Sequence, residues 1–258
     1  MTQPLTLLWR DERMVAIHKP SGWLVHRSAL DPHEDRIVQT QLRDQLGQWV
    51  YPVHRLDKGT SGVLLLALDA DMARELTQAF ERRVVNKRYV ALVRGWPAAS
   101  WSVDHALKPD DAPEDAPEQD ATTAFQLLAR LSLPVPVDRY PTTRVALVLA
   151  EPETGRRHQI RRHLKHVAHP IIGDATHGKG PHNRLWAERL GTHRLWLHAW
   201  QLSLPHPLTK VPLCFTSACA LADNADWQHL LATWDWQPEA ANLGQRSAWQ
   251  SWSAGSSR

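Results

Sequence analysis

An aspartate at position 57 stands in the run His54-Arg55-Leu56-Asp57-Lys58-Gly59-Thr60-Ser61-Gly62, with one cation two residues before it and another directly after it. The apolar stretch Val63 to Leu68 follows at once. That pattern reads as a strand buried on both faces, so a carboxylate in the preceding loop is held on a rigid element. Two glycines enclosing Thr60-Ser61 predict a tight turn whose hydroxyls and backbone N–H groups orient the Asp57 side chain. An ionised carboxylate so placed serves as nucleophile or base. The same residue also reads as a turn cap paired with Arg55, the commoner use of a loop aspartate.

Two further clusters carry chemistry. Arg88-Tyr89 opens a second apolar stretch, and Arg156, Arg157, Arg161, Arg162 and Lys165 crowd one short basic segment. Arg157, Arg161 and Lys165 are spaced i, i+4, i+8 and would share a helix face, suited to a row of phosphates or to one buried carboxylate. A solvated basic face is the alternative for such a run. Taken together, a positioned aspartate, an aromatic platform and a cationic helix are the parts needed to extract one base from folded RNA and act on it.

The elements that must position these groups follow from periodicity. Met14 to Ile17 reads as a strand ended by His18-Lys19-Pro20, with Trp23-Leu24-Val25 as its return. Val38, Leu42 and Leu46 predict an amphipathic helix ending at Gly47. A buried strand is expected over 62–68. A helix from about 70 to 83 should follow, capped by Asp69 or Asp71, with Met72, Leu76, Ala79 and Phe80 inward and Arg82-Arg83 at its end. Tyr89 to Val93, Arg144 to Glu151 and His193 to Leu204 read as strands. Between the last two, the basic segment RRHQIRRHLKHVAH turns Ile160, Leu164 and Val167 inward as a helix. Strands and helices are interspersed without a βαβ rhythm or a Gly-rich phosphate loop. The reading is therefore an α+β domain, a mixed, mostly antiparallel sheet flanked by helices.

Composition limits the class. The chain has 258 residues and a formal charge of +3. Residues 109–120 (PDDAPEDAPEQD) hold six carboxylates and no base, so the remainder carries +9, a prior for a polyanionic partner. That segment is too polar to pack and reads as a mobile insert, spanning about 105–122 with its flanks. Residues 237–258, rich in Ser, Ala and Gln, read as a disordered tail behind a domain covering 1–236. No apolar run reaches membrane-spanning length and MTQPLTLLWR lacks a signal core, so a soluble, cytoplasmic protein is expected. Cys214 and Cys219 have no second pair to complete a metal site or disulfide framework and are expected to be reduced and structural. His163, His166 and His169 lack an accompanying carboxylate or cysteine cluster and read as RNA-facing or solvent-exposed, not as metal ligands. Of the thirteen tryptophans, Trp9, Trp23, Trp96, Trp196 and Trp200 are expected in the core, and Trp249 and Trp252 lie in the tail.

HRLDKGTSGVLLLAL resembles the catalytic motif of the RluA-type pseudouridine synthases. Asn86 to Ala91 is similar to the family's tyrosine motif, and Thr154 to His163 with Pro170-Ile171-Ile172-Gly173-Asp174 to its third motif. Val15 to Gly22 and Leu195 to Ala199 match as well, so the resemblance spans roughly residues 6 to 215 with its motifs in order. It implies the family's fold, with a catalytic cleft across the sheet. Asp57 then stands for the essential aspartate, Tyr89 for the active-site tyrosine and Arg161 for the arginine that pairs with the aspartate. Arg55 matches the arginine that fills the gap left by the flipped base. On the same footing His54, Thr60, Arg88, Arg156, Arg157, Lys165 and Leu197 are expected to bind substrate. His18 departs from the family's usual asparagine.

The stretches Gly22 to Ser28, Arg139 to Arg144 and His163 to Asp174 look most like a tRNA-modifying branch acting at uridine 65. The implied partner is tRNA, met by a monomer without an obligatory protein partner, cofactor or metal. No module of the S4 type stands before the motifs, so tRNA contacts are expected from the domain itself. A ribosomal RNA synthase of the family is the nearest rival. A non-catalytic RNA-binding protein and a glycosidase-like hydrolase are the rivals from other classes, the latter wanting a second carboxylate that no motif supplies.

Overall fold

The computed structural model describes residues 3–27, 31–109, 112–113, 115–219 and 221–239. In chain order the elements are β1 (Leu7–Arg10), β2 (Met14–Lys19), α1 (Val38–Leu46), β3 (Tyr51–Pro52), β4 (Ser61–Ala67), α2 (Ala70–Glu81), β5 (Asn86–Arg94) and β6 (Ser100–Asp104). There follow β7 (Thr122–Leu133), β8 (Thr143–Pro152), α3 (Gln159–His166), α4 (Gly180–Leu190), β9 (Leu197–Pro205), β10 (Pro212–Thr216), α5 (Ala225–Thr233) and β11 (Gln237–Pro238). Open, mostly antiparallel sheet flanked by helices is the expected α+β organisation. No helix among the described residues is long and apolar enough to cross a membrane. The chain divides into two compact units, Met1–Lys87 with His198–Ser217, and Arg88–Leu197 with Ala218–Arg258.

In the first unit β4 is the central strand. β2 and β3 pair with it antiparallel, and His198 and Ala199 of β9 pair parallel with Ser61 and Gly62. All seven β4 residues are buried. Val63, Leu65 and Ala67 pack with Met14, Ala16, Leu202, Leu204 and Phe215 under Met72 and Leu76 of α2. Leu64 and Leu66 point the other way and are equally buried, so the strand is covered on both sides as its composition requires. Each such leucine contributes about 1.5–3 kcal/mol. α2 starts where the Asp69 carboxylate accepts from the Met72 N–H, and α1 stops at Gly47 in the left-handed region.

The return strand expected at 23–25 is not one. Leu24 makes only an isolated parallel bridge to Ile37, and β2 finds its partners in β1 and β4. The apolar triplet signals burial, with Val25 in the core, but a strand needs a neighbour with free edges, and β1 and β4 already occupy both of β2's.

In the second unit β5, β8, β7 and β11 pair successively antiparallel, with β6 on β7. Within the stretch read as tail, Gln237 and Pro238 pair with Arg130 and Ala129; the part from 240 onward, with Trp249 and Trp252, lies outside the described residues. The acidic insert is the β6–β7 connection. Leu107 and Gln119 exchange two backbone hydrogen bonds, 2.8 and 3.0 Å, across its neck. α3 is shorter than the basic segment suggests, because His158 turns left-handed (φ 55°) just before it. The strand expected from His193 begins only at Leu197.

Three of the described tryptophans, Trp186, Trp196 and Trp227, are among the largest fully buried side chains. Trp196 and Trp227 meet edge to face at 4.9 Å, with the Arg194 guanidinium against both rings and bonded to Asp226. Trp200 is also buried and Trp9 and Trp23 are half-buried, but Trp96 is 38% exposed. Its apolar setting misled, because the ring is covered by guanidinium groups instead of core. Cys219 is buried, which pushes its thiol up to about 12, whereas Cys214 is exposed on β10.

Candidate active site

The Asp57 loop belongs to the first unit and is held by its backbone. The fully buried Lys19 donates from Nζ to the carbonyls of Pro20, Lys58 and Thr60, at 3.0, 3.1 and 2.8 Å. Ser21 Oγ donates to Gly59 O at 2.7 Å, and Gly22 N–H to Lys58 O at 2.8 Å. The Thr60 N–H closes the turn on Asp57 O at 3.0 Å. These bonds fix the main chain on both sides of Asp57, whose side chain is half-buried while Arg55 is exposed beside it. Lys58 is turned away, its ammonium paired with Asp31 and Glu34. Asp57 is thus a carboxylate on a clamped backbone next to a protruding guanidinium.

His54, expected to bind substrate, is held by the fold. Its Nε2 accepts the Leu65 N–H at 2.9 Å and its ring stacks on Phe80 at 4.6 Å. Burial, then the charge of Lys87, push its pKa down to about 3. It is a neutral strut tying the loop to β4. Thr60 is buried. Behind the loop, Ser61 Oγ bonds His198 Nδ1 at 2.8 Å, and His198 Nε2 donates to Ser217 O at 2.9 Å. Because a carbonyl only accepts, the Nε2 proton is fixed, and in the neutral ring Ser61 is the donor. His18 Nδ1 bonds Ser217 Oγ at 2.8 Å, so the histidine at the family's asparagine position joins this buried network. The positional reading singled out neither Lys19 nor Ser217; a lysine within an apolar strand was the available signal.

The second unit holds the remaining site residues. Tyr89 lies half-buried on β5, paired in register with Ala150. Arg88, exposed, forms an ion pair with Glu151 at 2.7 Å. Arg161 is buried on α3 and grips Asp174, Nε to Oδ2 at 2.7 Å and Nη2 to Oδ1 at 2.9 Å. Burial pushes Asp174 up, but Arg161 and the N–H groups of His177 and Thr176 outweigh it and hold the carboxyl below its usual range. Leu197 is buried at the start of β9.

The basic cluster is less uniform than its spacing suggests. Arg157 precedes α3, so the i, i+4, i+8 face does not form; Lys165 is exposed. Arg156 donates to Asp120 O at 3.1 Å and Arg162 to Lys108 O at 2.6 Å, at the two ends of the acidic insert. Gln159 organises the helix start, accepting from Thr154 Oγ1 and Arg156 N–H and donating to Thr122 O and Thr123 Oγ1. His163 is not RNA-facing: it is fully buried between Thr123 Oγ1 and His105 O, each at 3.0 Å. His166 stacks on His105 at 4.0 Å and His169 bonds Arg94 O.

The comparisons with known proteins agree with these motifs. The RNA pseudouridylate synthase family matches residues 13–166. A tRNA pseudouridine synthase C of Vibrio cholerae is 44% identical over 240 residues, 90% of this chain and 97% of that protein. One from Salmonella typhi is 45% identical over 240 residues, covering 90% and 91%. Among solved structures, human RNA pseudouridylate synthase domain containing 1 superposes with a TM-score of 0.65 at 25% identity, covering 94% of each chain. The chain belongs to the RNA pseudouridylate synthase family.

Proposed function

We propose that this protein isomerises a uridine of tRNA, at position 65, to pseudouridine. The observation that carries the reading is the clamped Asp57 loop with exposed Arg55 beside it, in a chain whose relatives are named for that reaction. The N-glycosidic bond from N1 to the ribose C1′ breaks, the uracil turns in place, its C5 bonds to C1′, the C5 proton leaves and N1 takes up a proton. Asp57 acts ionised, as nucleophile or base, with Arg161 as its partner. Tyr89 stacks on the loose uracil, and Arg55 fills the gap left by flipping, which costs a few kcal/mol. Closing the base away from water prevents its loss by hydrolysis. The protein works in the cytoplasm as a monomer.

The experiment is tritium release from tRNA labelled at uracil C5, with wild type and Asp57→Ala. Release by wild type alone is expected; no release from any tRNA rejects the reading. Mapping the modified nucleotide separates tRNA position 65 from ribosomal RNA, and free uracil as product would mark a hydrolase.

A further inference from the structure

The second unit carries a cationic, aromatic surface that the reaction does not use. Where the chain leaves β5, Trp96 is exposed and lies against two guanidinium groups, Arg144 at 4.7 Å and Arg130 at 6.0 Å from its centroid. Its Nε1 donates to Leu131 O at 3.2 Å, which fixes the ring. Arg94, last residue of β5, is braced on Ala168 O at 3.0 Å. The β7–β8 hairpin ends in a tight turn in which Val137 and Tyr140 exchange two 2.9 Å backbone bonds and Asp138 is left-handed. That turn presents Arg139 over the exposed Tyr140 ring at 5.3 Å.

An independent observation lies against this tip. His182, in the first turn of α4, is 3% exposed and sits 6.3 Å from the Tyr140 ring. Neither of its ring nitrogens has a hydrogen-bond partner among the described residues. Native interiors rarely leave both nitrogens of an imidazole unbonded, so His182 keeps hydrogen-bonding capacity directly beneath the tip. Arg94 and Lys179 bring positive charge to it and Asp138 negative charge; Glu239 pairs with Arg130 at 3.0 Å. The balance stays cationic.

We propose that this surface, from Arg94 and Trp96 to the Arg139–Tyr140 tip that covers His182, docks the sugar–phosphate backbone of folded RNA away from the reacting nucleotide. Arginines held in place suit phosphate, and exposed aromatic rings suit ribose and base faces. Tyr89 and Arg94 stand five positions apart on one strand, about 17 Å at the usual rise, so the two ends of β5 meet different parts of the RNA. This inference rests on the RNA-modifying reading above and names where the rest of that substrate is gripped.

The test uses Arg139→Gln/Arg144→Gln, both exposed positions, in the full chain. Affinity for tRNA is measured by fluorescence anisotropy across a salt series, alongside tritium release. Expected are a Kd and KM raised about five- to tenfold, a log Kd against log salt slope shallower by about two, and kcat within about twofold. Wild-type affinity and slope in the variant overturn the proposal, as does weaker binding with an unchanged slope. A second measurement follows the 15N signals of the His182 ring, assigned by their loss in His182→Gln. They should move on adding tRNA, and signals unmoved at saturation overturn the proposal. If wild type releases tritium but the variant binds normally, the docking surface alone fails. If no RNA yields tritium yet the variant loses RNA affinity with the shallower slope, the isomerase reading fails and the surface stands.

Discussion

Arg161 and Asp174 form a buried fork-to-carboxylate pair, two parallel hydrogen bonds of 2.7 and 2.9 Å between α3 and the turn that follows it. The pair orients the guanidinium that the proposed reaction assigns to Asp57. Removing one partner takes both of these charge-assisted hydrogen bonds from the buried group that remains. Asp174→Ala should therefore cost about 3–5 kcal/mol in urea unfolding, and also reduce kcat. Arg161→Lys, which keeps the charge but loses the fork, should lower kcat more than it raises KM.

Lys19 should matter without touching substrate. Lys19→Met fills the same volume but removes the donor from three carbonyls around the Asp57 loop. A loss of about 2–4 kcal/mol in unfolding is expected, and a fall in kcat persisting at temperatures where the variant is folded. An unchanged kcat would show that the loop holds its shape without the ammonium.

Gly62 marks the closest approach of β4 to β9. At φ 115° it occupies a conformation that side chains rarely adopt, and an added Cβ would lie 2.1 Å from Ala199 O. Gly62→Ala should cost about 3 kcal/mol, a drop in Tm of roughly 6–12 °C.

Acid should unfold the protein partly through His54. Its folded pKa, about 3, lies below that of an unfolded histidine, about 6.5. Between those values the unfolded state binds the proton first, so stability rises with pH across the window and is lost as pH falls from about 6.5 towards 3. This group alone contributes a slope of up to about 1.4 kcal/mol per pH unit. Protonation also costs the Leu65 N–H its acceptor. Urea titrations at a series of pH values should show a shallower slope for His54→Phe.

Local rules were legible wherever a residue's own neighbours decide its fate. The run after Gly62 is apolar at every position and became a strand buried on both faces; Asp69 before a helical stripe became a cap. Readings failed where distant contacts decide. Trp23-Leu24-Val25 looks like a strand, but β1 and β4 occupy both edges of β2. His163 sits in a basic string that reads as RNA-facing or solvated, yet it is buried against Thr123 on a distant strand; Arg161 of the same string takes the other use its spacing allowed, the grip on one buried carboxylate, Asp174. Trp96 looks like core and is roofed by arginines. The position of Asp57 beside Arg55 was readable from one segment, whereas the lysine that clamps the loop from β2 shows only once β2 and β4 are paired.

The neck formed by Leu107 and Gln119, with Arg162 on Lys108 O just beyond it, ties the two ends of the acidic insert together. Widening a loop whose ends are already joined costs only the logarithm of its length, about 0.6 kcal/mol for each doubling. The intervening residues are therefore a natural berth for a grafted reporter, which could be carried there while α3, anchored through Arg156 and Arg162, keeps its footing.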